Sequence, residues 1–344
     1  MTLDKLALQA LGYWGVTDCA PQLIAQRENA VFRVTLADGR PAALRLHRPG
    51  YNSVAEIRSE LWWTQAMAAR GFRVPEPIAR PDGGLLAEVD EGQTATMISW
   101  IEGAPIGYSG ELLSGTFAEQ EQLYQQIGGL LAEMHTISDT LKPPPDFTRR
   151  NWNRDGLLGD SPLWGRFWEH PVLTAQDRSV ILAAREKARG DLAAYDAIGA
   201  AKGLIHADAL RENVFSTAGG LVLIDFDDSG YGYRMFDLAV AVSQSLEDEN
   251  YASLRDAVLA GYAALRPLSE ADTGRMELFA LLRTFASLGW IVPRLAADEP
   301  SHKKFIRRAV LQSQGYLDQG HSPTDNRAPF RLTGFPAGPL GKLP

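Results

Sequence analysis

The residues in this chain best suited by type and spacing to do chemistry lie in one stretch, Gly203 to Asp228, which reads GLIHADALRENVFSTAGGLVLIDFDD. Asp208 and Asn213 stand five residues apart there, and Asp225 follows twelve residues later. A carboxylate, an amide and a second carboxylate suit a hard cation such as Mg2+, which takes oxygen ligands from few protein groups and fills its shell with water and phosphate oxygens. One carboxylate is then left to orient a hydroxyl and accept its proton. Asp227, just past Asp225, is expected near the same metal. A His-Asp zinc site is a poorer fit, since no H-E-x-x-H and no second histidine cluster lies close by. His206 reads as a hydrogen-bonding support for the loop.

The elements around these residues must position them. Val214-Phe215 and the run 221–224 flank a turn of Ser216, Thr217, Ala218, Gly219 and Gly220, which predicts a hairpin. One acidic group then precedes the first strand, and the other follows the second, where an antiparallel return brings them together. Upstream, residues 29–36 and 41–47 flank Asp38-Gly39, a second hairpin signal. Alternation along 41–47 puts Ala43, Arg45 and His47 on one face and Leu44 and Leu46 on the other. Ser53 with Glu56 makes a capping box for a helix carrying Ile57, Leu61 and Met67 and ending at Gly71. Two further strands are expected at 85–89 and 94–101, giving five strands with one helix between the third and fourth. Glu102-Gly-Ala-Pro105 reads as a hinge. Beyond it the pattern is helical: 117–137, 174–198 capped by Thr174 and Asp177, 234–246, 251–265, 270–292 and 301–317. A short amphipathic helix at 2–11 is expected to stop at Gly12. The expected organisation is α+β: a small antiparallel β-lobe over residues 1–101, a larger, mostly helical lobe over 102–318 carrying the catalytic hairpin, and an irregular Gly- and Pro-containing tail over 319–344.

Composition narrows the class. The 344 residues are 45% apolar and 22% charged, enough for two lobes. The single cysteine, Cys19, excludes a disulfide framework and a thiolate metal cluster. A net charge of −8 argues against nucleic acid as a partner, which needs a basic face. The N-terminal apolar run is too short for a signal peptide, and the longest apolar stretch, 277–293, is interrupted by Arg283 and falls short of a membrane span. A cytoplasmic protein with no membrane partner is the expectation; the oligomeric state is open.

The spacing H-x-D-x-x-x-x-N with a downstream Asp is the layout of kinase catalytic loops. HADALREN (206–213) followed by LIDFDD (223–228) resembles the aminoglycoside phosphotransferase and choline kinase-like family, whose fold is protein kinase-like and bilobal and whose members include homoserine kinase-like and stress-response kinase-like enzymes. LLAEMH (130–135) and FDLA (236–239) are similar to further landmarks, and the resemblance covers about residues 22 to 300. It implies a phosphotransferase that uses ATP and Mg2+, with Asp208 as base and Asn213 and Asp225 as metal ligands. It implies that Asp237 supports the loop from the following helix. It places residues 28–33, Asn29 among them, at the turn covering the nucleotide. Met97 to Ile101 would be the hinge, where backbone groups around Ser99 and Ile101 read the adenine edge. Two positions depart from the family pattern. Ala207 stands where Gly is usual, and a methyl there is tolerable at negative φ. Arg45 replaces the third-strand lysine that holds the α- and β-phosphates; it stays charged and can grip phosphate bidentately, but it is longer and planar. Glu60, on the capped helix, is placed to pair with it.

The acceptor is implied only as a hydroxyl on a small molecule, such as an amino alcohol, an aminoglycoside or homoserine. Asp227, Asp228, Glu247, Asp248 and Glu249 could form an acidic pocket, and Trp152, Trp164, Trp168 and Trp290 a cation–π box. Acidic runs are more often solvated helix ends, and tryptophans at helical spacing more often core. Two alternatives stand beside the small-molecule kinase: a Ser/Thr protein kinase of the same fold, and a nucleotide-binding pseudokinase suggested by Arg45.

Overall fold

In the computed structural model, which describes residues 2–26, 29–296 and 298–319, the chain forms two compact units. The first takes in the described residues of 1–104, 140–149 and 215–227; the second, those of 105–139, 150–214 and 228–344. The stretch 203–228 is thus divided between the two units after Val214, a partition that no linear reading suggests.

The first unit opens with helix α1 (Leu3–Tyr13). Strands β1 (Gln22–Gln26), β2 (Asn29–Thr35) and β3 (Pro41–His47) follow, then helix α2 (Val54–Ala68), and then β4 (Leu86–Val89) and β5 (Gln93–Ser99). The five strands form one antiparallel sheet in the order β1-β2-β3-β5-β4. Gly39 sits at φ +85° in the Asp38-Gly39 turn, a conformation glycine adopts without steric cost. Phe32, Val34, Leu44, Leu46, Ala95 and Met97 pack into one core with Leu6, Ala10 and Leu11 of α1. The helix does not stop at Gly12. It runs to Tyr13, and Gly15, at φ +69°, is the left-handed residue past its end. The Ser53–Glu56 capping box is present in full, with Ile57, Leu61 and Met67 buried. A short strand, β6 (Ala104–Pro105), marks the exit from this unit.

The second unit is built from helices α3 (Phe117–Asp139), α4 (Arg154–Leu158), α5 (Ala175–Ala197), α6 (Arg234–Val242), α7 (Tyr251–Leu265), α8 (Glu270–Thr273), α9 (Met276–Ile291) and α10 (Ser301–Asp318). Thr174 and Asp177 cap α5 as their spacing requires. The single helix expected over 270–292 is two: a Ser269–Asp272 capping box starts α8, and α9 starts afresh after Arg275, whose ψ of 7° leaves the helical range. The helix expected over 234–246 ends at Val242, where a 3-10 turn of Ser243–Ser245 takes over and Ser243 Oγ donates to the Val240 carbonyl. Residues 320–344 of the expected tail lie outside the described residues.

A small mixed sheet was not legible in the sequence: β7 (Arg150–Trp152), β8 (Lys202–Ile205) and, after the hairpin β9 (Val214–Thr217) and β10 (Gly220–Leu223), β11 (Gly230–Tyr233). Its order is β7-β11-β8, with β11 parallel to β7 and antiparallel to β8. Gly-Tyr-Gly-Tyr has poor strand propensity, yet the glycines are required. A Cβ on Gly230 would lie 2.3 Å from the Arg150 carbonyl oxygen, and one on Gly232 would lie 2.5 Å from Ile205.

Candidate active site

Strand β8 delivers the loop of the second unit. The backbone N–H groups of His206 and Ala207 donate to Asp237 Oδ2 and Oδ1 at 2.8 and 2.6 Å. Asp237 lies in the first turn of α6, fully buried, and its Oδ2 is also 3.0 Å from His135 Nε2, whose Nδ1 meets the Tyr262 hydroxyl at 2.9 Å. Pulling two successive N–H groups onto one carboxylate fixes the turn. Ala207 stands at φ +66°, the opposite of the negative φ expected for a methyl-bearing residue there. The left-handed conformation costs an L-residue about 1–2 kcal/mol, and the methyl is fully buried. Ala207→Gly is therefore expected to change stability by less than about 1 kcal/mol, because relief of strain is offset by lost burial and a freer unfolded chain. Ala207→Val, branched at a left-handed position, is expected to destabilise by more than about 2 kcal/mol. Urea denaturation of both variants checks the pair.

The loop's chemistry centres on Asp208. Asn213 Nδ2 donates to Asp208 Oδ2 at 2.9 Å and to the Asp208 carbonyl at 2.9 Å. Arg283 of α9 donates to Oδ1 at 2.9 Å, and His206 Nδ1 accepts the Asp208 N–H at 3.3 Å. Burial pushes the Asp208 carboxyl up to about 6; Arg283 opposes the rise, and Asp228 and Glu212 add to it. A carboxylate with a proton affinity near neutrality suits a general base. The loop's other charged residues are anchors. Arg211 donates to Tyr124, Ser245, Asp248 and the Glu111 carbonyl, and Glu212 accepts from the Ser109 N–H and Gln244.

In the first unit the structure brings together Arg45, Glu60, Asp227 and Asn29. Arg45 is 5% exposed, far from the ordinary surface position an isolated strand arginine would occupy. Its guanidinium donates to Glu60 Oε1 at 2.7 Å and to Asp227 Oδ1, and lies 4.0 Å from Asp225. Asn29, the first residue of β2, donates to Asp227 Oδ2. Both carboxylate oxygens of Asp227 are thus engaged. Burial raises the proton affinity of Asp227, but Arg45 more than reverses this and holds the group well below the usual carboxylate range. Asp225 adopts φ +63° with a side chain 49% exposed. Among the described residues, Ala207 and Asp225 are the non-glycine positions at positive φ, so backbone strain of this kind falls on the two segments singled out for chemistry. Sequence reasoning missed Arg149. It is buried, and it donates to the carbonyls of Glu56, Phe226 and Asp227, tying α2 to the segment after β10.

Ser99 closes β5. Its N–H donates to the Glu76 carbonyl at 2.8 Å, and its Oγ accepts from the Glu76 N–H at 2.9 Å; Ile101 follows the strand. Glu28, the start of the expected nucleotide-covering turn, lies outside the described residues. The acidic run does not form one pocket: Asp228 pairs with Arg150, Asp248 with Arg211 and Glu247 with Arg308. Of the four tryptophans, Trp152 is core, stacked 5.3 Å from Phe236. Trp164 meets Trp152 edge-on at 5.2 Å and Trp290 at 6.4 Å. Trp168 packs elsewhere, on Phe167 and Arg185. The cation over Trp164 is the chain's own Arg283, 4.9 Å from the ring centre.

His47, beside Arg45 on β3, is buried and meets the Thr96 hydroxyl at 2.8 Å. Burial, with the positive charge of Arg45 and Arg149, pushes it down from its ordinary 6.5 to about 3. The unfolded chain binds this proton more readily than the native one, so stability is full above about pH 6.5 and falls as pH drops toward 3. His47→Gln is expected to flatten that slope, sparing on the order of 3 kcal/mol at pH 4. Denaturant melts at pH 4, 5.5 and 7.5 measure it.

Comparison with known proteins agrees with this architecture. Residues 21–279 match the model of a phosphotransferase enzyme family. An uncharacterized protein of Deinococcus radiodurans is 31% identical over 290 residues, covering 82% of this chain and 80% of that protein. A homoserine kinase of Cupriavidus taiwanensis is 29% identical over 275 residues, covering 72% of this chain and 74% of the kinase. The solved structure of a microcompartment-associated aminopropanol kinase superposes with a TM-score of 0.79 at 28% identity, covering 92% of this chain and 98% of that one. No helix among the described residues is long and apolar enough to cross a membrane. The match over most of its length makes this chain a member of the phosphotransferase enzyme family, an enzyme of kinase fold that transfers phosphoryl groups.

Proposed function

We propose that the protein transfers the γ-phosphoryl group of ATP, with Mg2+, to a hydroxyl of a small amino alcohol. The observation that carries this reading is the setting of Asp208: a carboxylate of raised proton affinity whose two oxygens accept from Asn213 and Arg283. Asp208 would take the acceptor's hydroxyl proton as the oxygen attacks the γ-phosphorus and the bond to ADP breaks.

The donor set fits Mg2+. The amide nitrogen of Asn213 is spent on Asp208, which leaves the amide oxygen as a donor, and the Asp225 side chain is half exposed. Asn213 and Asp225 would hold Mg2+, which would neutralise charge on the phosphates. Asp227, expected as a further ligand, accepts from Arg45 and Asn29, and in this reading it holds the arginine. Arg45, kept in place by Glu60, would grip phosphate, with Asn29 beside it and the backbone at Ser99 and Ile101 toward the adenine.

The class of acceptor draws on the names of similar proteins, a homoserine kinase and an aminopropanol kinase, both acting on compact amino alcohols. A coupled ADP-release assay of the purified protein against homoserine, 1-amino-2-propanol, ethanolamine, choline and kanamycin tests it. ADP release is expected with at least one amino alcohol and only with Mg2+. ATP that gives no Mg2+-dependent thermal shift would sink the proposed cofactors, and ADP release with none of these acceptors would sink the proposed acceptor class.

A further inference from the structure

We infer that Arg283 is a positioning residue for the base, a guanidinium laid on the Trp164 ring that fixes the Asp208 carboxylate from the side opposite Asn213. Helix α9 is among the most apolar in the chain, with Met276, Leu278, Phe279, Leu281, Leu282, Phe285 and Leu288 all buried. Arg283 interrupts it at 6% exposure. A charge placed there is costly unless it is paired. Its partner is Asp208 Oδ1 at 2.9 Å, and its second contact is the face of Trp164, 4.9 Å from the ring centre. Arg283 Nη1 is buried with no hydrogen-bond partner, so the residue does not satisfy itself at this position. An apolar side chain would serve the helix better.

The bond to Asp208 has a consequence that stability does not explain. A carboxylate held on one oxygen rotates about χ2; held on both, by Asn213 at Oδ2 and Arg283 at Oδ1, it keeps one plane. Asp237 holds the loop backbone through the N–H groups of His206 and Ala207 and Asn213 holds both the Asp208 carbonyl and Oδ2, while the bond from Arg283 acts on the carboxylate. A carboxylate has about four lone-pair sites; with two committed, those left for an acceptor hydroxyl point in set directions. The planar fork and the aromatic platform explain arginine rather than lysine at this position.

This inference rests on the reading of Asp208 as base, and the experiment separates the two. In the purified protein, Arg283→Met is expected to lower kcat by about 10²-fold, with KM for ATP within about twofold and an unfolding midpoint close to the parent's, because the Asp208 left behind is 21% exposed and keeps its bond from Asn213. Arg283→Lys is expected to recover about a tenth of the parental kcat. The crystal structure of R283M, which needs no activity, is expected to show Asp208 rotated away from Asn213. R283M turnover within twofold of the parent overturns the inference, as does an unmoved Asp208 in the R283M crystal. Failure of the parent protein itself to turn over with any amino alcohol sinks the kinase reading instead, and the crystal structure then decides the inference alone.

Discussion

Asp208→Asn is expected to lower kcat by about 10²–10⁴-fold while leaving the stabilisation by Mg2+ and ATP close to that of the parent. The substitution keeps size and planarity and removes the one atom pair able to take a proton. Asparagine is the sharper probe than alanine. Asp208 is the partner of Arg283, whose side chain is 8% exposed, and Asp208→Ala leaves that guanidinium buried and unpaired, at a cost of about 3 kcal/mol or more. Loss of activity in D208A would thus mix chemistry with folding. D208N also removes the charge that pairs with Arg283, but it retains one oxygen to accept from Arg283 or Asn213 and leaves no cavity, so it disturbs the fold less than alanine does. The measurement is kcat and KM in the ADP-release assay beside a thermal-shift titration with ATP and Mg2+. Activity within about tenfold of the parent would remove Asp208 from the role of base.

Arg45→Met is expected to destabilise the protein by about 3–5 kcal/mol, a large share of the stability of a typical domain. The cause is what the substitution leaves behind. Glu60 and Asp227, whose side chains are 3% and 5% exposed, both face the guanidinium. Without it, two buried carboxylates confront each other, with the Asn29 amide on Asp227 and Arg149 Nη1 3.9 Å from Glu60 as the remaining compensation. The sign of the pH dependence identifies the mechanism. Burial already raises Glu60 against the pull of Arg45; removing the arginine raises Glu60 further and lifts Asp227 from its depressed range, so the native variant takes up a proton that the parent does not. The penalty is therefore expected to shrink as pH falls from 8 to 5. Glu60→Gln in the R45M background should recover part of the loss by removing one charge. Urea melts at the two pH values decide it: a penalty below about 1 kcal/mol, or one equal at both, would mean that Arg45 does not hold these acids. The same geometry gives a reason for arginine at this position. One planar fork reaches an acid on α2 and another after β10, which a single ammonium on a flexible stem does less well.

Much of the molecule was legible from local sequence because its causes are local. Capping boxes at Ser53 and Thr174, the Asp38-Gly39 turn and the alternation of β3 depend on residues within a few positions of one another, and all are present. Two features are set otherwise. Glycine weakens helices, but the end of α1 is set by the residue that turns left-handed, Gly15, and not by Gly12. Strand β11 is not legible locally, because its glycines are chosen by neighbours on β7 and β8 and not by propensity.

By itself, the sequence determined the chemical inventory and its spacing: an H-x-D-x-x-x-x-N loop, a hairpin, three acids after it, and an arginine on the third strand. Spacing fixes such things because a turn or a strand converts residue number directly into position. What surrounds each group was decided only by tertiary structure. The oxygens of Asp208 are shared between Asn213, five residues away, and Arg283, 75 residues away. The partners of Arg45 lie 15 and 182 residues along the chain. The loop turn is set by Asp237, which holds Ala207 at positive φ against its own preference. No periodicity or propensity encodes contacts at such separations, because packing, not chain connectivity, brings them about. Arg283 shows the difference most plainly. In the sequence it is a charge that spoils an apolar helix; in the fold it is the residue that meets Asp208.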